Sequence, residues 1–285
     1  MRPETSSGNA DEGASAKLQT PPGVARIAPP GGSPASIPRD LYVDVACAKA
    51  LIDRFGEVSD AFRIIPVDLG AHLDGHGLGK PVAIVMPPVL FSGILASEMI
   101  ERLRNGRPHV GMYVVAREAS AVARSLPRLA AAGVDEVFCL DSASDMHAFL
   151  QTMHARLSAP APETEMRLIW KWFRESPERS LVMHCVRNGF RLDVWKIRSQ
   201  VFSACRKTLQ NRVALVGLPS PGLLARIGRV LHVQELERRG MTPSLLIART
   251  LGFPSPGAML RARRRLRKAL LARGRQALVF ASLLK

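Results

Sequence analysis

The chain has 285 residues, with 47% apolar and 5% aromatic content. That supplies enough apolar residues for true cores and room for about two domains of roughly 100–200 residues each. The formal charge of +16 is unevenly placed: residues 161–285 sum to +18 and residues 1–160 to −2. A near-neutral front joined to a strongly basic back is the layout of a polyanion binder. Scarce aromatics leave few platforms for stacking single-stranded bases.

Residues 1–37 are rich in Gly, Pro, Ser and Ala and read as a disordered tail. They lack the apolar core of a signal peptide. No stretch reaches the roughly 18 consecutive apolar residues of a membrane span. The expectation is a soluble cytoplasmic protein with no membrane partner. Cys47, Cys139, Cys185 and Cys205 are widely separated, without a CxxC pair or zinc spacing. They read as free buried thiols, and no metal or cofactor is expected.

From residue 38 to 158, short apolar runs alternate with helical patterns. Strands are predicted at 41–45, 63–67, 82–86, 110–115 and 136–140. Helices are predicted at 46–55, 93–104, 119–132 and 144–157. Such alternation argues for a parallel five-stranded sheet covered on both faces, a flavodoxin-like arrangement. The Gly-rich stretch Gly70-Ala71-His72-Leu73-Asp74-Gly75-His76-Gly77-Leu78-Gly79-Lys80 is followed by Pro81 rather than Ser or Thr, so it is not a P-loop. It reads as a loop between the second and third strands.

Two segments carry a resemblance. Ala83-Ile84-Val85-Met86-Pro87 and Ala131-Ala132-Gly133-Val134-Asp135-Glu136-Val137-Phe138 are similar to the third-strand and fifth-strand segments of the receiver domains of response regulators. On that alignment the phosphoacceptor falls on Ala83, the switch hydroxyl on Val115 and the charge-sensing lysine on Leu140. Of the acidic pair at most Asp44 remains. The resemblance therefore implies a receiver-like domain without phosphoryl chemistry, serving as a dimerisation or signal module. A generic flavodoxin-like domain with another ligand is the alternative.

Ala159-Pro160-Ala161-Pro162 coincides with the change of charge and reads as a linker over 159–163. Beyond it, over 164–285, helical patterns dominate. Thr242 and Pro243 open a helix to Leu251, Gly252 allows a sharp turn, Phe253 is placed to plug the corner, and Ser255 caps an Arg-rich helix. Ile247, Ala248, Leu251, Gly252 and Phe253 match five positions of the "Ile-Ala-x-x-Leu-Gly-Phe-Ser" signature, and the region resembles the double helix-turn-helix domain of the AraC/XylS family of bacterial transcription regulators. The resemblance places a first recognition helix on Ser203–Arg212, a supporting helix opening at 192–197, and a linker helix over Pro221–Arg239 with Leu223, Leu224, Ile227, Val230, Leu231 and Leu236 inward. It departs from the family at Arg263, where a core residue is usual, in lacking a Gly turn before Ser203, and in lacking Gly-x-x-Pro after the last helix.

What the resemblance implies is a regulator that reads duplex DNA, with RNA polymerase and a second copy of the chain as further partners, and no enzymatic role. The residues expected at the duplex are Arg206, Lys207, Gln210 and Arg212 in the first unit. In the second they are Ser255, Gly257, Ala258, Arg261, Arg264, Arg265, Arg267 and Lys268. Gly257, Ala258 and Arg261 are expected to face the groove, and the later cations the phosphates. An adaptor that docks an acidic protein, and a nonspecific DNA or RNA binder, use the same basic face.

Overall fold

The computed structural model describes residues 39–55, 62–72, 78–79, 81–189, 206–242, 244–272 and 275–284. All of them fall within one compact unit. The front half is an α/β structure with strands β1 (Arg39–Asp44), β2 (Phe62–Val67), β3 (Ala83–Met86), β4 (Gly111–Ala116) and β5 (Glu136–Cys139). They form one parallel sheet in the order β2-β1-β3-β4-β5, one of the two common doubly wound orders. Every residue of β3 and β4 is buried, as continuous apolar runs in a sheet covered on both sides require.

Helices α1 (Val45–Phe55) and α5 (Ala143–Ser158) cover one face; Leu51, Phe55, Phe149 and Met153 pack there on Val43, Val85, Tyr113 and Phe138. Helices α2 (Ala96–Gly106) and α4 (Leu126–Ala132) cover the other, where Met99, Ile100, Leu103 and Leu129 meet Ile84, Met86, Met112 and Val114. Three expectations shift. The helix expected to start at Gly93 starts at Ala96, because residues 88–95 close a turn with a bridge between Val89 and Leu95. The helix expected over 119–132 divides into α3 (Ala119–Ala123) and α4, with Ser125 Oγ donating to the Val122 carbonyl at the break. The glycine-rich stretch opens as a 3-10 turn, Leu69–His72; residues 73–77 and Lys80 lie outside the described residues.

The back half is helical: α6 (Glu163–Trp172), α7 (Arg179–Arg187), α8 (Arg206–Leu215), α9 (Pro221–Arg238), α10 (Ser244–Thr250), α11 (Pro256–Leu271) and α12 (Arg275–Leu283). Helix α9 matches its expectation, and the six residues predicted to face inward are all buried. Its start is set by Ser220, whose Oγ accepts from Leu223 N–H, with Pro221 in the first turn. The predicted opening of the first supporting helix, 192–197, and residues 203–205 lie outside the described residues. Helix α12 has no counterpart among the predicted elements. It returns to the α6–α7–α9 core, with Phe280 stacked on Phe173 at 5.7 Å. Among the described residues, no helix is long and apolar enough to cross a membrane.

The two halves are welded together. The segment read as a linker, Ala159 to Pro162, is buried between α5 and α6 rather than exposed. Next to it lies a buried charged cluster centred on Asp135, just before β5. Its carboxylate accepts from Arg187 Nε (2.7 Å), Asn188 Nδ2 (2.8 Å), Met112 N–H (2.9 Å) and Arg104 Nη2 (3.0 Å). Arg104 and Arg187 also donate to the Gly133 carbonyl, and Arg187 to that of Pro108. A third buried arginine, Arg156 of α5, donates to the Arg187 carbonyl and Asn188 Oδ1. His232 of α9 lies with its ring nitrogens 2.9 and 3.0 Å from the Pro160 and Arg187 carbonyls. Residues from α2, β4 and the end of α7 thus meet at one carboxylate, and Arg156 of α5 and His232 of α9 hold the Arg187 carbonyl beside it.

Helices α7 and α9 cross backbone to backbone. A Cβ on Gly228 would sit 2.1 Å from the Val186 carbonyl oxygen, and one on Gly189 2.4 Å from that of Ala225. Both obstacles are main chain and cannot turn aside. Gly228→Ala is therefore expected to force the helices apart and destabilise the protein by about 1–3 kcal/mol or more, read as a lower midpoint in urea or thermal unfolding with the secondary structure retained.

Candidate nucleic-acid interface

The basic face is built on α9, which serves two cores. Leu223, Leu224, Ile227, Val230 and Leu231 belong to the core with α6, α7, α8 and α12. Val233 and Leu236 belong to a smaller one with Ala159, Ile247, Ala248, Leu251 and Met259, against which Met241 and Phe253 pack. Three of the five signature residues, Ile247, Ala248 and Leu251, are thus buried on the inner side of α10 and its end. Gly252, at φ 68°, takes the left-handed conformation that ends α10; its N–H donates to Arg249 O and that of Phe253 to Ala248 O. Phe253 fills the corner as expected, and the Arg229 guanidinium lies over its ring, 5.7 Å from the centroid. Pro243, read as the first residue of α10, lies outside the described residues.

Ser255 then caps α11: its Oγ accepts from Ala258 N–H at 3.1 Å, with Pro256 in the first turn. Such a cap contributes about 1 kcal/mol. Met259, Leu266 and Leu270 are the buried residues of α11, a spacing of seven and four that keeps one stripe inward. Met259 joins the small core and Leu266 and Leu270 the large one, so α11 is fixed at both ends. Arg263 falls on the inward stripe, and Glu237 of α9 receives it at 3.5 Å.

On the opposite face, Gly257, Arg261, Arg264, Arg265 and Lys268 are exposed, as is Arg267 at its margin. At about 100° per residue, Gly257, Arg261, Arg264 and Lys268 form one stripe and Arg265 flanks it. Ala258 is half-buried beside the cap. Gly257 leaves room for its neighbour one turn on; a Cβ there would lie 3.3 Å from an Arg261 guanidinium nitrogen. The structure thus brings together all eight residues expected in the second unit, on one helix and its cap.

The first unit is less open. In α8, Leu209 and Val213 are buried in the large core, Lys207 is exposed and Gln210 half-buried. Arg206 is the first residue of α8. The Arg212 guanidinium pairs with the largely buried Glu178, which precedes α7, at 3.0–3.1 Å, while its side chain stays 40% exposed. Glu178, Glu237 and Arg229 escaped sequence reasoning because each acts through a contact distant in sequence.

At the carboxyl end of the sheet, the described residues do not assemble a phosphoacceptor site. Ala83, aligned with the phosphoacceptor, begins β3 and is buried, whereas Met86 ends the strand. Asp44, at the end of β1, is buried and accepts from Ala46 N–H (3.1 Å) and Leu69 N–H (3.4 Å). It holds the start of α1 and the following 3-10 turn. Among the described residues, no group of three or more His, Cys, Asp or Glu is placed to hold a metal ion.

Compared with protein-family models, with curated proteins and with solved structures, the chain matches none.

Proposed function

We propose that the chain is a sequence-specific DNA-binding transcription regulator of the AraC/XylS type, with α10 and α11 as its principal helix-turn-helix and α11 as the recognition helix. The observation that carries this reading is the exposed cationic stripe of α11, set directly after a glycine-turned, phenylalanine-plugged corner and anchored by Met259, Leu266 and Leu270. A helix fixed in this way offers the residues of its first turns to base edges and its later arginines to phosphates. Helix α8 belongs to the first unit, where Lys207 is exposed, Gln210 is half-buried and Arg212 shares its charge with Glu178. The α/β half acts as a receiver-like interaction module, without a phosphorylation step, through which a second copy is engaged, and RNA polymerase is a further partner of the chain.

The test is selection of random duplexes by the purified full chain, followed by sequencing. An enriched motif supports the regulator. Salt-sensitive retention of unenriched DNA would replace it with a nonspecific binder, and no retention at all with an adaptor for an acidic protein.

A further inference from the structure

We propose that the face formed by α2, α4 and the turn before α2 is a two-fold contact between copies of this chain. It specifies the partner of the α/β interaction module and rests on that reading alone, so it stands or falls independently of DNA binding.

The first observation is an ordered apolar knob. Phe91 is 74% exposed and Val89 51%. The turn carrying them is pinned: Leu90 N–H donates to Ile94 O, Gly93 N–H to Leu90 O and Ala96 N–H to Pro88 O, each at 2.9 Å. Leu90 is buried beneath it. A large aromatic on a fixed turn loses little freedom on docking, and among the described residues nothing covers it.

The second observation is a groove beside that knob. A shallow cleft of about 310 Å³ runs between α2 and α4, walled by Leu95, Ala131 and Ala132. Its charges are segregated: Glu98 and Glu101 stand on the α2 wall, Arg128 on the α4 wall. None of the three forms an ion pair among the described residues.

The occupant follows from that segregation. A partner must present an apolar knob with a cation opposite α2 and an anion opposite α4. A second copy turned about a two-fold axis does this: its α4 brings Arg128 to Glu98 and Glu101, its α2 brings the carboxylates to Arg128, and its Phe91 enters the groove. Knob and groove on one surface are self-complementary in the way an isologous dimer requires, and the separated charges fix its register.

Sedimentation of the full chain without DNA, at tens of micromolar, tests it. A dimer is expected. Phe91→Ser and Arg128→Glu should each weaken it at least about tenfold, and so should the double variant Glu98→Lys, Glu101→Lys. Mixing the Arg128→Glu chain with the Glu98→Lys, Glu101→Lys chain should restore a dimer, because one of the two charge clusters is then attractive with reversed sign and neither chain can pair with itself. All these positions are on the surface, and thermal unfolding matching the wild type at a dilution where all are monomeric would show that the variants fold. A wild-type chain that stays monomeric, a dimer indifferent to these substitutions, or failure of the mixture to reassociate would overturn the proposal. Each of those results would leave DNA binding untouched.

Discussion

Asp135→Asn is expected to be the most damaging conservative substitution in the protein. The variant keeps the shape of the side chain but removes the carboxylate that sits among Arg104, Arg156 and Arg187, all three fully buried. Breaking a buried ion pair by removing one partner costs about 3–5 kcal/mol, because the other charge stays behind uncompensated. Two guanidiniums here donate directly to the carboxylate, which places the cost at the upper end of that range. A domain of this size is stable by about 5–15 kcal/mol, so a loss near 5 kcal/mol removes between about a third and all of that stability and should show as a much lower denaturation midpoint. Chemical denaturation beside the wild type checks this; a midpoint within error of wild type would mean that backbone carbonyls alone balance the arginines.

The same cluster sets the response to acid. Burial opposes the charge on Asp135, but Arg187, Arg104 and Arg156 outweigh it and hold its carboxyl well below the usual carboxylate range. A carboxylate so depressed contributes stability that is complete above its unfolded value, about 3.9, and is lost as pH falls below it. His232 acts earlier and in the same direction. Burial, then the charge of Arg156, pushes its imidazole down to about 4 against the Arg187 and Pro160 carbonyls, which favour the proton, so the unfolded chain takes up a proton more readily than the folded chain between about pH 6.5 and 4. Acidification should therefore destabilise the wild type from about pH 6.5 downward.

How much of this was legible depended on whether the cause was local. The sheet was, because each strand is a short apolar run and the α1 and α5 faces repeat with helical period. The α9 stripe and the Ser255 cap were legible for the same reason. The repeat Gly217-Leu218-Pro219-Ser220-Pro221-Gly222, echoed at Gly252-Phe253-Pro254-Ser255-Pro256-Gly257, has a local cause too. Gly217 and Gly252 both adopt φ 68°, and Ser220 and Ser255 both cap the following helix. The echo is shared punctuation, one helix ending and the next beginning; it does not align the two units. What stayed hidden was non-local. Asp135 sits within a segment singled out for its likeness to a receiver, yet its partners lie 23 to 53 residues away. Nothing in the spacing of Arg104, Arg156 and Arg187 indicates convergence. The burial of Ala159 to Pro162 was invisible because an Ala-Pro run at a charge boundary has the composition of a linker whether or not something packs on it.

Substitutions along α11 should separate into two kinds, and the separation is the sharpest test of its register. Arg261 lies on the exposed stripe within the first two turns, folded back over Gly257, where a recognition helix meets base edges. Arg261→Ala should cost about 1–3 kcal/mol on the preferred duplex and little on others, relaxing the motif at one position. Arg265 and Lys268 lie one and two turns further on, suited to phosphates. Changing both to Ala should weaken every duplex alike. It should also lower the slope of log affinity against log salt by about 0.9 for each phosphate no longer neutralised, close to 2 in total. Arg263→Ala should behave as neither. Its guanidinium is turned toward Glu237 on α9, so its removal should change stability and leave the salt slope unaltered. These effects are measurable by fluorescence anisotropy on the selected duplex and a scrambled one across a salt series. Equal losses from Arg261→Ala and from the Arg265, Lys268 double change on both duplexes would mean that α11 binds as a charged rod, and base recognition would have to be sought in α8 with Lys207 and Gln210.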